Sequence, residues 1–388
     1  MDRPLRIAIL GSTGSIGQQT LDVVRRYPQQ LSVVALAAHQ NESLLLEQVR
    51  AFRPRVACLT GRREWNVTYQ GTRFLWGAEA LTEVVTLPEV DIVVAAMSGN
   101  DGFRPLIEAI RAGKQIALAN KESLVMAGTL VTQEADRAGC SLRPVDSEHS
   151  AIWQCLQGEE RDAIASLSLT ASGGPFRTWS TMELAMATPE QALRHPTWSM
   201  GQKITIDSAT LINKGLEIIE AHWLFRIPYS QIHVLIHPQS VVHSFVQFRD
   251  GSLKAQLGTP DMRLPIAYAL SWPERWDMVA PPVDLVQVQA LSFSAPDEDR
   301  FPLLRLARAA GEWGGTAPTV LCAADEVAVQ AFLGGRLSWW QLHEVVEKVV
   351  MRLGTREAPS LEDILEADRA SRSYASELVE HFSRHAVR

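Results

Sequence analysis

The sequence predicts an α/β protein with a doubly wound N-terminal domain over residues 1–145 and a central α+β domain over 146–271. A linker over 272–300 then leads to a C-terminal four-helix bundle over 301–388. Three observations predict this order. Short apolar runs alternate with amphipathic stretches through the first part, a β-rich section follows, and the last part shows only helical spacing broken by Gly and Pro. At 388 residues the chain is too long for one core, which agrees with two or three domains.

The first part holds "LRIAIL" (5–10), "LSVVALAA" (31–38), "RVACLT" (55–60), "DIVVAAM" (91–97) and "QIALA" (115–119). Runs this short and this rich in Val, Ile and Ala, with helical periods between them, suit strands of a parallel sheet covered on both faces. "IASLSLTAS" (164–172), "QIHVLIH" (231–237), "SFVQFRDG" (244–251) and "LKAQLG" (253–258) read as strands of one mixed sheet, with a hairpin turn at Asp250-Gly251. Between Trp272 and Pro302 the chain is rich in proline and acid, which breaks any long element. From Phe301 onward four stretches carry apolar residues at helical spacing.

Composition narrows the function. With 46% hydrophobic and 21% charged residues, the chain reads as globular. A net charge of -7 and the lack of a basic run argue against nucleic-acid binding. No apolar run approaches the roughly 18 residues of a membrane span, and strand-like sequence begins by Leu5, so a cytoplasmic protein is expected. Cys58, Cys140, Cys155 and Cys322 lack C-x-x-C spacing and read as buried free thiols rather than a zinc site or a disulfide framework.

The first strand runs into "GSTGSIGQQTLDVVRR", which spaces Gly11, Gly14 and Gly17 three apart where a helix begins. Such a turn lets backbone approach a pyrophosphate, whose charge is favoured at a helix start. A tight turn with no ligand would leave the same trace, but its place after the first strand favours a nucleotide. The second strand ends in His39, Gln40 and Asn41 where an NAD site usually has an acid for the ribose hydroxyls. That absence favours NADP, although Glu42 follows closely and no arginine stands where a 2′-phosphate would be clamped.

"RPVDSEHSAIWQ" (143–154) places Asp146 and Glu148 one residue apart. In an extended segment they would share a face and repel, a repulsion that a hard cation such as Mg²⁺ or Mn²⁺ removes. Two solvated acids ahead of a helix, with Asp146 or Ser147 as its N-cap, fit the spacing equally. A second polar cluster, "HPTWSMGQKITIDSATLINKGLEIIEAHWLF", holds His195, Trp198, Lys203, Ser208, Asn213, Lys214 and Glu217. A helix starting near Ser208 would set Asn213 and Glu217 on one face with Lys214 beside them. Gly215 inside it costs roughly 1 kcal/mol against Ala, an expense expected where a ligand comes close to the backbone. Glu217 could be a third carboxylate for a metal, while Ser172, Ser208, Asn213 and Lys214 could hold a phosphate. His237 and His243 read as structural histidines or as supports of the site.

Together and in order, "GSTGSIG", "ANKESLV", "DSEHSAIWQ", "SGGPFR", "HPTWSMGQKITIDSATLINKGLE", "HPQSVVHS" and "GTPDMRLPIAYAL" resemble the 1-deoxy-D-xylulose 5-phosphate reductoisomerase family over nearly the whole chain. The resemblance implies a Rossmann-like NADPH-binding domain, a central catalytic and dimerisation domain, and a homodimer that requires Mg²⁺ or Mn²⁺. It also implies formation of 2-C-methyl-D-erythritol 4-phosphate for isoprenoid synthesis. It places the metal ligands on Asp146, Glu148 and Glu217. Substrate contacts fall on Lys121, Ser147, Glu148, Ser172, His195, Ser208, Asn213, Lys214 and Glu217, with Trp198 on a loop that closes over the substrate. NADPH contacts fall on Thr13, Gly14, Ser15, Ile16, Asn41, Asn120, Glu122 and Gly201. Lys121, Glu148, His195 and Trp198 are the implied catalytic group. The chain departs from the family pattern at His39-Gln40, where Gly-Lys is common, and at "ASGG" in place of "GSGG".

The implied reaction rearranges a carbon skeleton and then adds hydride, so an intermediate aldehyde must be held between two chemically different steps. Two rival readings keep the nucleotide domain. One is a metal-independent NADP-linked reductase, separated by the effect of chelation; the other is a nucleotide sensor, disfavoured by the dense polar run from His195 to Glu217.

Overall fold

The five apolar runs of the first part become strands of one parallel sheet, joined by two short strands that the sequence reading did not include. In the computed structural model, which describes residues 3–386 apart from Asn66, Ser98, Ser199, Thr355, Ala358 and Pro359, these are β1 (Leu5–Leu10), β2 (Leu31–Ala38), β3 (Val56–Leu59), β4 (Arg73–Trp76), β5 (Ile92–Ala95), β6 (Gln115–Leu118) and β7 (Leu142–Pro144). Their order is β4-β3-β2-β1-β5-β6-β7, and every pairing is parallel. The two unexpected strands are the edges. At four and three residues they are too short to carry a period of their own and form by pairing with a neighbour.

Helices α1 (Ser15–Arg26), α2 (Glu42–Phe52), α3 (Ala80–Thr86), α4 (Phe103–Arg111), α5 (Lys121–Ala138) and α6 (Ser147–Cys155) connect these strands or follow them. The chain reverses its direction of travel between β2 and β5, on either side of β1, so ligands are expected beyond the carboxyl ends of these strands. Gly11, Asn41, Asn120 and Asp146 all lie just past such ends.

A second sheet has the order β11-β10-β8-β9, from β8 (Ile164–Ala171), β9 (Ile232–Ile236), β10 (Val242–Phe248) and β11 (Leu253–Leu257). It is mixed, as expected: β8 is parallel to β9 and antiparallel to β10, and β10 meets β11 through the turn where Gly251 has φ +89°. Between β8 and β9 lie α7 (Thr181–Leu184), α8 (Pro189–Ala192), α9 (Gln202–Thr210) and α10 (Ile212–Phe225). After β11 come α11 (Arg263–Ser271), the short α12 (Leu285–Val288), and four helices that pack on one another: α13 (Pro302–Trp313), α14 (Ala317–Leu333), α15 (Trp339–Leu353) and α16 (Leu361–Ala386).

The chain forms two units, each discontinuous in sequence. Met1–Ser123, Val131–Trp153 and Asp261–Pro282 make the first, and Leu124–Leu130, Gln154–Pro260 and Val283–Arg388 the second. The boundaries expected at 145 and 271 do not coincide with these units, because α6 and α11 pack onto the parallel-sheet unit. Trp153 meets the rings of Tyr268 at 4.8 Å and Trp272 at 5.8 Å, and Arg143 Nη1 donates to the Ala269 carbonyl at 2.9 Å. Aromatic contacts of this kind favour the return of the chain to the first unit. Among the described residues no helix is long and apolar enough to cross a membrane.

Candidate active site

In the first unit the three glycines of the opening turn do different work. Gly11 has φ +83°, and a Cβ there would lie 2.4 Å from the Ala96 carbonyl oxygen; at Gly17 it would lie 2.3 Å from that of Gly11. Both are needed for backbone to pack on backbone. Gly14 has ordinary dihedrals and is the N-cap of α1 with no side-chain cap, so no capping side chain occupies the first amides of α1, the end of a helix that favours an anion; Thr13, Ser15 and Ile16 flank it.

At the end of β2, Asn41 caps α2 through its side-chain oxygen, which accepts from Leu44 N at 3.2 Å. Glu42 does not stand in for the missing ribose acid. Its two oxygens accept from Trp65 Nε1 at 3.0 Å and from Arg62 Nη2 at 3.1 Å. The structure thus pairs Glu42, the residue after Asn41, with an arginine that the sequence reading did not place there, because Arg62 follows the carboxyl end of the neighbouring strand β3. Asn120 is buried; its oxygen caps α5 at Ser123 N (2.7 Å), and its amide nitrogen donates to the carbonyls of Met97 and Gly99. Its side chain therefore holds the β5 and β6 loops together. Glu122 lies in the first turn of α5, one residue beyond Lys121.

Asp146 and Glu148 do not alternate along a strand, as the extended reading had it. Residue 147 begins α6, Asp146 Oδ1 accepts from Ser147 N at 3.1 Å, and Glu148 is in the first turn. Their ligand oxygens still fall within 4.8 Å of each other. Lys121, almost wholly buried, pairs with Asp146, and Ser147 Oγ donates to Glu148 Oε2 at 2.6 Å.

In the second unit the expected helix start near Ser208 is corrected. Ser208 is near the end of α9, and α10 begins at Ile212 after Leu211, which takes a left-handed φ of +60°. The relation expected further on holds: Asn213 Nδ2 donates to Glu217 Oε1 at 2.6 Å, and Lys214 Nζ is 2.5 Å from Glu217 Oε2. Lys214 and Glu217 are both buried.

His195, Ser172 and Ser208 meet. His195 Nδ1 accepts from the amides of Thr197 (3.1 Å) and Trp198 (2.9 Å), while its Nε2 lies 3.0 Å from Ser172 Oγ and 3.2 Å from Ser208 Oγ. Two donors on Nδ1 leave the proton on Nε2, and burial lowers the imidazole pKa to about 4, so the ring is neutral and presents an N–H. Trp198 is half-buried with its ring 6.3 Å from that of His243. Gly201 is the N-cap of α9 and has open space around it.

Three family models match the chain: 1-deoxy-D-xylulose 5-phosphate reductoisomerase over residues 7–128, the C-terminal domain of that enzyme over 142–225, and the DXP reductoisomerase C-terminal domain over 257–374. The chain belongs to the 1-deoxy-D-xylulose 5-phosphate reductoisomerase family. The reductoisomerase of Desulforamulus reducens is 52% identical, across 96% of this chain and 98% of its own. That of Thermomicrobium roseum is 52% identical across 98% and 100%. Among solved structures, the reductoisomerase of Zymomonas mobilis in complex with NADPH superposes with a TM-score of 0.91 at 42% identity, covering 97% of this chain and 100% of that one. A reductoisomerase complex with NADPH, fosmidomycin and magnesium gives 0.90 at 41%, covering 97% and 98%.

One sequence reading changes, and a choice left open is decided. The gap at Gly215 faces no ligand: a Cβ there would lie 2.3 Å from the Cβ of Ala307, so the glycine lets α10 lie against α13. Of the two histidine readings, His237 is structural. It is fully buried, its Nε2 accepts from the amides of Val241 (3.2 Å) and Val242 (3.1 Å), and its Nδ1 faces the Ser292 carbonyl at 3.0 Å.

Proposed function

We infer that this chain carries out the NADPH- and divalent-metal-dependent rearrangement and reduction of 1-deoxy-D-xylulose 5-phosphate to 2-C-methyl-D-erythritol 4-phosphate, a step of isoprenoid synthesis by the non-mevalonate pathway. The observation that carries this reading is the buried acid Glu217, held by Asn213 and Lys214 in the second unit, in a chain that also keeps Asp146 and Glu148 close together at a strand end in the first. A buried carboxylate such as Glu217, and a close pair such as Asp146 and Glu148, suit a hard cation such as Mg²⁺ or Mn²⁺.

Asp146, Glu148 and Glu217 would hold the ion. When bound, the cation polarises the substrate's carbonyl and NADPH supplies the hydride. The remaining steps are the chain's own. Ser172, Ser208, Asn213 and Lys214 bind the distal phosphate, and His195 adds a neutral N–H beside the two serines. That binding energy supports closure of the segment bearing Trp198, which excludes water from the reacting end. Lys121 neutralises Asp146 and orients the substrate next to the nicotinamide. Glu148, with Ser147 on its oxygen, also assists proton transfer at a substrate hydroxyl.

Thr13, Gly14, Ser15, Ile16, Asn41, Asn120, Glu122 and Gly201 receive NADPH. Asn120 shapes that site, its side chain tying the Met97 and Gly99 carbonyls to the start of α5, and Arg62 pairs with Glu42 next to Asn41. Residues 1–145 serve the nucleotide, 146–271 catalysis and pairing into a homodimer, 272–300 linkage and 301–388 support. The free cysteines accord with a reducing compartment, the cytoplasm.

NADPH oxidation at 340 nm with 1-deoxy-D-xylulose 5-phosphate and Mn²⁺ tests the reading. Chelation should abolish turnover, and Glu217→Gln should weaken Mn²⁺ binding, followed by electron paramagnetic resonance, by tenfold or more. Turnover that persists after chelation would return the chain to the metal-independent reductases.

A further inference from the structure

Helix α9 carries a charge at its less favourable end. Lys203 lies in the first turn, where backbone amides point outward and no side chain caps the helix. Two carboxylates hold its ammonium: Asp207, one turn along at 2.6 Å, and Asp325 of α14 at 2.8 Å. Asp207 is 2% exposed and Asp325 is fully buried.

Buried acids sharing one cation are a poor source of stability, because well-packed apolar groups do as well or better, but they fix geometry, since each acid is heavily penalised on leaving the cation. The geometry fixed here is that of the first turn of α9 against α14. That turn directly follows the segment carrying His195 and Trp198, and Ser208 is next to Asp207 on the same helix.

We propose that Asp325, acting through Lys203, is a positioning residue for the phosphate-binding end of the active site. It sets the place of α9, and so the spacing at which the Ser208 hydroxyl and the His195 N–H, 3.2 Å apart, face the substrate's phosphate. The proposal rests on the reading above in which Ser172, His195 and Ser208 hold that phosphate.

Steady-state kinetics of the full-length enzyme with NADPH and Mn²⁺ test it. Asp325→Asn keeps the shape and removes the charge. It should raise KM for 1-deoxy-D-xylulose 5-phosphate about tenfold, change kcat less than KM, and leave KM for NADPH within about twofold; Asp325→Glu should recover part of the loss. A merely structural acid would lower the melting temperature and leave the substrate KM unchanged in folded enzyme, and that result overturns the proposal. If Asp325→Asn does not fold, the double variant Lys203→Gln/Asp325→Asn, which removes one cation and one acid together, is read in the same way. Ser208→Ala is the reference. An unchanged KM there removes the phosphate reading itself, whereas a raised KM there with a normal one in Asp325→Asn removes only this inference.

Discussion

Replacing Gly215 by alanine sets two opposed effects on one helix. An alanine inside α10 gains about 1 kcal/mol of helix propensity. Its methyl, however, would lie 2.3 Å from the Cβ of Ala307, where carbon atoms prefer about 3.5–4.0 Å. Restoring contact distance needs α10 and α13 to part by more than about 1 Å, and overpacking of that kind costs roughly 1–3 kcal/mol. The net expectation is a loss of up to about 2 kcal/mol. The shift is carried by the helix that bears Asn213, Lys214 and Glu217, so Mn²⁺ affinity and substrate KM should worsen as well. Urea denaturation of four proteins measures this: the parent, Gly215→Ala, Ala307→Gly and the double variant. Ala307→Gly alone loses about 1 kcal/mol of propensity, yet it opens space for the new methyl, so the double variant should be more stable than the summed singles by about 1–3 kcal/mol. Zero coupling, together with a Gly215→Ala protein as stable as the parent, would refute the argument that the glycine exists for the helix contact.

Stability should fall as pH drops from about 6.5 towards 4. Burial holds His195 and His343 to pKa values of about 4, the latter against the opposing pull of its bond to the Trp339 carbonyl, so below 6.5 the unfolded chain takes up protons that the folded chain refuses. For the fully enclosed His343 the slope approaches about 1.4 kcal/mol per pH unit, and for His195 water reduces it. Thermal melts across this range should flatten in His343→Gln, and an unchanged slope would contradict the assignment. The glycines of the opening turn should also separate. Gly17→Ala should lower the melting temperature, because its methyl meets backbone. Gly14→Ala, whose Cβ would come no closer than 3.3 Å to Gly11 O, should fold and instead raise KM for NADPH; equal effects on both would mean that the turn has no ligand face.

The parallel sheet was legible because its central strands are buried on both faces and read as continuous apolar runs; the edges β4 and β7 were not, since they exist only by pairing. The local setting of the candidate site residues was less legible than the sheet. For Asp146 and Glu148 the spacing left a strand face and a helix start equally open, and the structure takes the helix start. The span from Ser208 to Glu217 was read as one helix, yet it breaks at Leu211, a left-handed leucine that no propensity foretells.

The sequence by itself determined which groups are present, the glycine turn ahead of α1 and the i,i+4 relation of Asn213 to Glu217, because each depends on neighbours close along the chain. Only the tertiary structure decided that Gly215 serves Ala307, that Arg62 comes beside Glu42, and that Lys203 is shared with Asp325. These pairings join residues far apart in sequence, brought together by burial, and burial also keeps the His195 ring neutral.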